Sequence, residues 1–369
     1  GVTDDGRHIP FAAPGDTINI PAGTYTGNTL NINKSLTLVG QTDGEGDPGT
    51  IIDGEGTGEL IRIYAYLDDA QWIADGGDHQ VRFTNIILRN GNNWAEATDG
   101  PHETGAGGAI SIRSIGSCQS TNGSREHLLL NMTNCRVEDC WANQGGGAIG
   151  HTDFTMPVVG CDVGQTRWEV VIDLGIGGCH FTGNGSDNGG DINLPIAGAI
   201  VLGDCIFENG RGGGSLLFNK GSVGSTYIKD VRLFDSLGTA ITQYGEELYV
   251  GNSVITGHKQ GILAANNCDV RVFHSTIADN VRQDDQAAGV MMGAGGGPTT
   301  LAIRNSILWG NANTNGNDED AQRHHAHPSG TLDIGWSTIQ GAFGALNPLF
   351  TDRLGADGLA GGADADYRL

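Results

Sequence analysis

Lysine is scarce in this 369-residue chain: Lys34, Lys220, Lys229 and Lys259 are the whole complement. Twenty basic residues face 43 acidic ones, a formal net charge of −23. Such a field repels phosphate backbones and anionic lipid surfaces, which excludes nucleic acid as a partner. Long apolar runs are also lacking; none approaches the ~18 residues of a membrane span, so membrane insertion is excluded as well. The opening GVTDDGRHIPFAAPGD has neither the basic nor the apolar region of a signal peptide, and a cleaved signal leaves the same picture. Proline numbers only 10 and no G-X-Y period exists, which removes collagen, while 38% apolar residues are too many for a disordered glycine-rich linker. No window carries a glycine-free helical stripe over three turns.

Glycine is what the chain has in excess: 62 residues, about 17% against a typical ~7%. Short β-branched runs punctuated by Gly, Asn and Asp dominate, and they superimpose. The aligned segments are SLTLVG (35–40), NIILRN (85–90), NCRVED (134–139), GCHFTG (178–183), DCIFEN (204–209), DVRLFD (230–235), NSVITG (252–257), HSTIAD (274–279), NSILWG (305–310) and WSTIQG (336–341). Their second and fourth positions lie on one strand face: Leu36 through Cys135, Cys179, Cys205 and Ser253 to Ser337, then Leu38 through Val137 and Phe181 to Ile339. Intervals of 22 to 26 residues fit one turn of a parallel β-helix, those near 50 fit two turns or one with a long loop, and 31 fits a turn with an insertion. A second strand per turn follows at Gly107–Ile110, Gly146–Ile149, Ile192, Leu216, Ile241, Ile262 and Val290. Gly40, Gly183, Gly257, Gly310 and Gly341 are expected at one recurring corner.

The expected fold is all-β: a single-domain right-handed parallel β-helix, a solenoid of about 10 to 12 coils with long loop insertions. One domain spans 1–369, with an N-terminal cap and first coil over 1–34, repeated coils over 35–341 and a C-terminal cap segment over 342–369. Stacking at ~4.8 Å per coil predicts a rod of about 50 to 55 Å whose ends invite self-association unless capped.

APGDTINIPAGTYTGNTLNINKSLTLVG (13–40) and TIIDGEGTG (50–58) resemble the opening coils of secreted right-handed parallel β-helix proteins of the pectate-lyase-like superfamily. LNPLFTD (346–352) with ADYRL (365–369) resembles the terminal segment of bacterial surface-anchored β-helix proteins. The resemblance implies secretion or display at the cell surface. It also implies a choice between an adhesive or structural scaffold that holds polysaccharide and a calcium-dependent polysaccharide lyase. The galacturonan-hydrolase motifs of that superfamily are missing: Asp4-Asp5, Asp68-Asp69 and Asp284-Asp285 stand without their companions. Lys220, Lys229, Arg232, Lys259 and Arg271 fall on consecutive coils and are the candidate cations for a lyase.

Candidate sites follow from the breaks in the repeat. Insertions over 91–106, 114–126 and 151–167 carry Trp94, Glu96, His102, His151 and Asp153, with Trp141 flanking them, aromatic faces with carboxylates and imidazoles of the kind that line sugar sites. Asp43, Asp47 and Asp53 offer oxygen ligands for calcium, the expected cofactor, and His324, His325 and His327 form a histidine-rich tract suited to transition metals. Cys135, Cys179 and Cys205 share a column and read as small buried packing residues. Cys118 and Cys161, inside insertions, are candidates for a loop-clamping disulfide.

Overall fold

The structure is a computed structural model that describes residues 12–66, 78–93, 107–115, 126–143, 145–154, 170–187, 189–195, 197–219, 224–293, 299–325, 330–342 and 347–348. It is a parallel β-helix, organised as two compact units, Gly1–Ala199 and Ile200–Leu369. Each turn of the chain supplies one strand to each of three parallel sheets.

In unit 1 the first sheet stacks Thr17–Ile20, Leu36–Gly40, Asp78–Thr84, Glu126–Thr133 and Val170–Gly177. The second stacks Gly23–Thr26, Thr50–Asp53, Ile86–Arg89, Arg136–Glu138 and His180–Thr182. The third stacks Leu30–Ile32, Ile61–Tyr66, Ile110–Ile115, Ile149–Phe154 and Ile192–Leu194. A narrow fourth sheet pairs Asn92–Asn93, Trp141–Ala142 and Gly185–Ser186.

Unit 2 repeats the plan with tighter coils. Its first sheet runs from Ile200 of the strand Ala197–Gly203 through Thr226–Lys229, Glu247–Gly251, Asp269–Phe273 and Thr300–Arg304 to Thr331–Gly335. Its second sheet contains Ile206–Glu208, Arg232–Phe234, Val254–Thr256, Thr276–Ala278, Ile307–Trp309 and Thr338–Ile339. Its third contains Gly214–Asn219, Thr239–Tyr244, Gln260–Ala265, Val290–Met292 and Arg323–His325. Among the described residues the one helix is the four-residue turn Glu319–Gln322, capped by the Asp318 side chain on the Ala321 N–H at 3.2 Å.

Alternation explains the core. Every second strand residue points inward, where like stacks on like: Ile61, Ile110, Ile149 and Ile192 are in register in unit 1, and Leu216, Ile241, Ile262 and Val290 in unit 2. All eight are buried, and Phe83, Phe181, Phe207 and Phe218 are the largest fully buried side chains among the described residues.

The corners follow a stricter rule than a glycine preference. From Ile86–Arg89 onward each second-sheet strand is bracketed by residues in the left-handed region: Asn85, Asn134, Gly178, Asp204, Asp230, Asn252, His274, Asn305 and Trp336 before it, and Asn90, Asp139, Gly183, Asn209, Asp235, Gly257, Asp279, Gly310 and Gly341 after it. Asn and Asp tolerate this conformation because their short polar side chains bond locally, so most of these corners need no glycine. Gly183, Gly257, Gly310 and Gly341 occupy the second corner at φ 64° to 82° as expected, but Gly40 does not; it ends a first-sheet strand.

Glycine is required elsewhere, by crowding. A Cβ on Gly147 would stand 2.2 Å from the backbone N of Gly185, and one on Gly108 2.5 Å from the carbonyl O of Gly147. The Gly-Gly-Ala-Ile motifs therefore mark places where neighbouring coils touch backbone to backbone.

One expectation is corrected. SLTLVG (35–40) belongs to the first sheet, where Leu36 and Leu38 pair with Val81 and Phe83; the true predecessor of Ile86 and Leu88 is the pair Thr50 and Ile52. Of the two alternatives for the long intervals, the 49 and 44 residues that follow Ile86 are single coils with long loops, because Val137 pairs directly with both Leu88 and Phe181.

Candidate functional site

Strand residues that point outward are where side chains from successive coils meet. In unit 2 the outward column of the first sheet reads Val201, Tyr227, Tyr249 and Arg271, in register across four coils. Tyr227 and Tyr249 lie face to face, with ring centroids 4.7 Å apart and planes 12° apart. The Arg271 guanidinium caps the stack 5.0 Å from the Tyr249 centroid and donates to the Tyr249 hydroxyl. Glu247 anchors that guanidinium at 3.2 Å and accepts from the Ser225 hydroxyl at 3.4 Å. Lys229 stands two residues along the strand from Tyr227 with 76% of its side chain exposed.

This surface is flat, aromatic and fixed. Partial burial pushes the Tyr249 phenol up from its ordinary value; Arg271 opposes this and Glu247 adds to it. At neutral pH the group is therefore a protonated hydroxyl, suited to hydrogen bonding and stacking. Tyr227 is 46% exposed and Val201 52%, so the stack ends in open apolar surface.

Unit 1 carries two polar clusters on its outer faces. The Glu59 carboxylate is enclosed by Arg62, by Arg113 Nη2 at 3.2 Å and by Asn93 Nδ2 at 2.9 Å, with the Tyr64 hydroxyl 3.0 Å from Arg62 Nη1. Glu59 and Arg113 are both buried, so this cluster clamps the third sheet to the narrow fourth one. On the first sheet, His127 Nδ1 lies 2.7 Å from Asp173 Oδ2, and Asp173 Oδ1 accepts the backbone N–H of Ala199 at 2.6 Å.

The residues singled out from the sequence are scattered. Trp94, Glu96 and His102 lie outside the described residues. Trp141 sits in the narrow sheet between Asn92 and Gly185, half-buried. His151 is corrected from loop to strand: it takes the inward position of Ile63 and Ile112 in the third sheet and is 3% exposed. Burial pushes its pKa down to about 4. Asp153 is on the same strand, opposite Ser114. The insertions accordingly start after the strands Ile110–Ile115 and Ile149–Phe154.

The three aspartates are already engaged. Asp43 accepts from the N–H groups of Glu45 and Asp47, Asp47 pairs with Arg136 at 2.7 Å, and Asp53 pairs with Arg89 at 2.7 Å. Hydrogen bonds from Asn90, the Glu55 N–H and Arg89 outweigh burial and lower the Asp53 carboxyl. His324 and His325 lie on the strand Arg323–His325, opposite Met291 and Met292, and His327 lies outside the described residues. Among the described residues no three His, Cys, Asp or Glu side chains stand together as a metal-holding group.

The candidate lyase cations do not converge either. Lys229 and Arg271 are on the first sheet and Arg232 is on the second. Lys259 lines a groove of about 500 Å³ at the second corner with Leu237, His258 and Val281. Lys220, Cys118 and Cys161 are outside the described residues, while Cys135, Cys140, Cys179, Cys205 and Cys268 are buried free thiols.

The 22-residue period itself held the missed signal. Tyr227, Tyr249 and Arg271 are spaced at 22 and 22 residues, the same intervals as Val231, Ser253 and Ser275 in the neighbouring column.

No family model matches the chain, and no curated protein matches it. Among solved structures, the A-module of the mannuronan C-5 epimerase AlgE6 from Azotobacter vinelandii is similar at 13% identity, covering 88% of this chain and 91% of that one with a TM-score of 0.33.

Proposed function

We propose that this protein is an extracellular or cell-surface β-helix scaffold that holds acidic polysaccharide on the outward face of the first sheet in unit 2, in a structural or adhesive role. The observation that carries this reading is the stack of exposed Tyr227 on half-buried Tyr249, capped by Arg271. Sugar rings present apolar C–H faces and equatorial hydroxyls, which match a rigid aromatic surface with polar tips. Arg271, paired with Glu247 at 3.2 Å, and Lys229, 3.5 Å from Asp230, are the cations beside the rings in a chain whose net charge is −23, and they offer donors to the carboxylates and hydroxyls of acidic sugars.

Titration calorimetry with polygalacturonate and polyguluronate, with and without calcium, tests the reading. Tyr249→Ala is expected to weaken binding about tenfold, ~1.4 kcal/mol, and raised salt to weaken it further while neutral dextran stays unbound. Undiminished affinity in Tyr249→Ala and Tyr227→Ala would falsify the assignment of this face.

A further inference from the structure

The last coil leaves the core open. Leu332 and Ile334 stand in register with Leu301 and Ile303, which are fully buried, yet they are 40% and 39% exposed. Among the described residues their strand Thr331–Gly335 pairs on one side only, with Thr300–Arg304, so its other edge offers N–H and C=O groups for pairing. The third sheet ends differently: Arg323 takes the place of the buried Val290 and pairs with Glu319, and a charge turned inward at an edge blocks strand addition. Trp336 follows Gly335 at the first corner, with φ 54° and 93% exposure. Asn85, Asn134, Asn252 and Asn305 hold that corner in other coils with a side chain suited to the left-handed region, where a bulky ring is strained. Strain carried by a ring that this chain leaves uncovered points to a contact outside it.

We infer that a second copy of this chain docks on that edge, the two Thr331–Gly335 strands pairing antiparallel across a two-fold axis at Ile334. In this register Ile334 meets its counterpart, Leu332 of each copy meets Trp336 of the other, and Asp333 lies opposite Gly335. The exposed apolar side chains of the coil are then complementary to themselves, as a closed two-fold interface requires. Moving the axis to Asp333 sets two carboxylates directly against each other and leaves Trp336 opposite Gly330, so charge selects the Ile334 register. Two five-residue strands with their flanking rings bury less than the ~1,600 Å² of a standard interface, so the dimer is weak and depends on concentration. Trp336 is its anchor, the kind of residue that dominates such contacts.

Sedimentation velocity of the full chain, from micromolar to millimolar concentration, is the test. Wild type is expected to pass from monomer to dimer and to stop there. Trp336→Asn, which installs the residue used at this corner in other coils, is expected to melt no lower than wild type and to weaken dimerisation at least tenfold. Ile334→Cys is expected to give a disulfide-linked dimer with oxidised glutathione that wild type does not give. A chain that stays monomeric throughout overturns the inference and leaves the edge to other residues of this chain or to another protein. Growth past the dimer overturns it in favour of open end-to-end association, and undiminished dimerisation of Trp336→Asn overturns the role of the ring.

Discussion

Behind the first corner, unit 1 uses sulfur at Cys135 and Cys179, while unit 2 starts with sulfur at Cys205 and uses oxygen from Ser253 onward. Cys135 N–H donates to Cys179 Sγ at 3.3 Å, and each thiol donates to the carbonyl two residues earlier. In unit 2, Val231, Ser253, Ser275 and Ser306 donate in turn to the hydroxyl of the next coil, each at 3.2 Å, and the Ser253, Ser275 and Ser306 hydroxyls return a 2.8 Å bond to their own strands. The second corner uses one ladder in both units. In unit 1 the Gly91 N–H donates to Cys140 Sγ and the Cys140 N–H to Asn184 Oδ1; in unit 2 the N–H groups of Ser236, His258 and Asn280 donate in turn to the side chains of His258, Asn280 and Asn311, and Gln322 Nε2 donates to the Asn311 carbonyl. Both solutions satisfy the same demand, a buried N–H at every coil that the turning backbone leaves unmatched. Close backbone contact accompanies the ladders in both units: a Cβ on Gly147 would stand 2.2 Å from the Gly185 N, and one on Gly214 2.1 Å from the Thr239 O.

Crowding should be the less forgiving device. Gly147→Ala pushes a methyl into the Gly185 backbone and is expected to cost more than about 4 kcal/mol, enough to prevent stable folding. Asn305→Ala at a left-handed corner of unit 2, φ 50°, is expected to cost only about 1–2 kcal/mol. Urea unfolding of the two variants measures the contrast, and equal losses would erase it.

Acid should find buried histidines in both units, His79 and His151 in unit 1 and His258 in unit 2. His151 and His258 are both pushed down to about 4 by burial, and His258 Nδ1 accepts from the Ser236 N–H at 3.2 Å, which requires the neutral ring. Because the folded values lie below the ordinary 6.5, the unfolded chain binds more protons in between. Stability is complete above about pH 6.5 and is lost as pH falls toward 4, by about 3 kcal/mol per histidine. His258→Asn, matching Asn280 and Asn311 of the same ladder, is expected to remove the unit 2 share of that loss in denaturation measured from pH 7 to 4. An unchanged pH profile would place the acid sensitivity elsewhere.

The ladder itself gives a smaller effect than crowding at Gly147. Ser275→Ala leaves the Ser253 N–H buried without an acceptor and is expected to cost about 1–3 kcal/mol. Ser275→Cys, which installs the side chain used in unit 1, is expected to cost less. Melting temperatures of the pair decide whether sulfur and oxygen are interchangeable here.

Two of the three sheets were legible in the sequence because each announces itself twice: by an inward column and by a corner residue of restricted type. The first sheet has no such marker at its start, so its strand Leu36–Gly40 fell into the wrong column. Glycine was legible as corner chemistry in Gly183 and Gly257, but the crowding at Gly108 and Gly147 depends on backbones about 40 residues apart and has no local pattern. The sites were hidden for a related reason. Aromatic and charged residues gathered in the insertions drew attention to Trp94 and His102, whereas Tyr227, Tyr249 and Arg271 become one surface only through inter-coil register. His127 and Asp173, 46 residues apart, needed the register of a coil whose length no repeat predicts.

Hydroxyl-radical footprinting of the full chain with and without polyguluronate tests most directly whether function lies on the exposed tyrosine face rather than in the insertions. Protection of Tyr227 and Tyr249, lost at high salt, is the predicted result. Unchanged reactivity of both tyrosines with protection at Trp94 and Trp141 would contradict it.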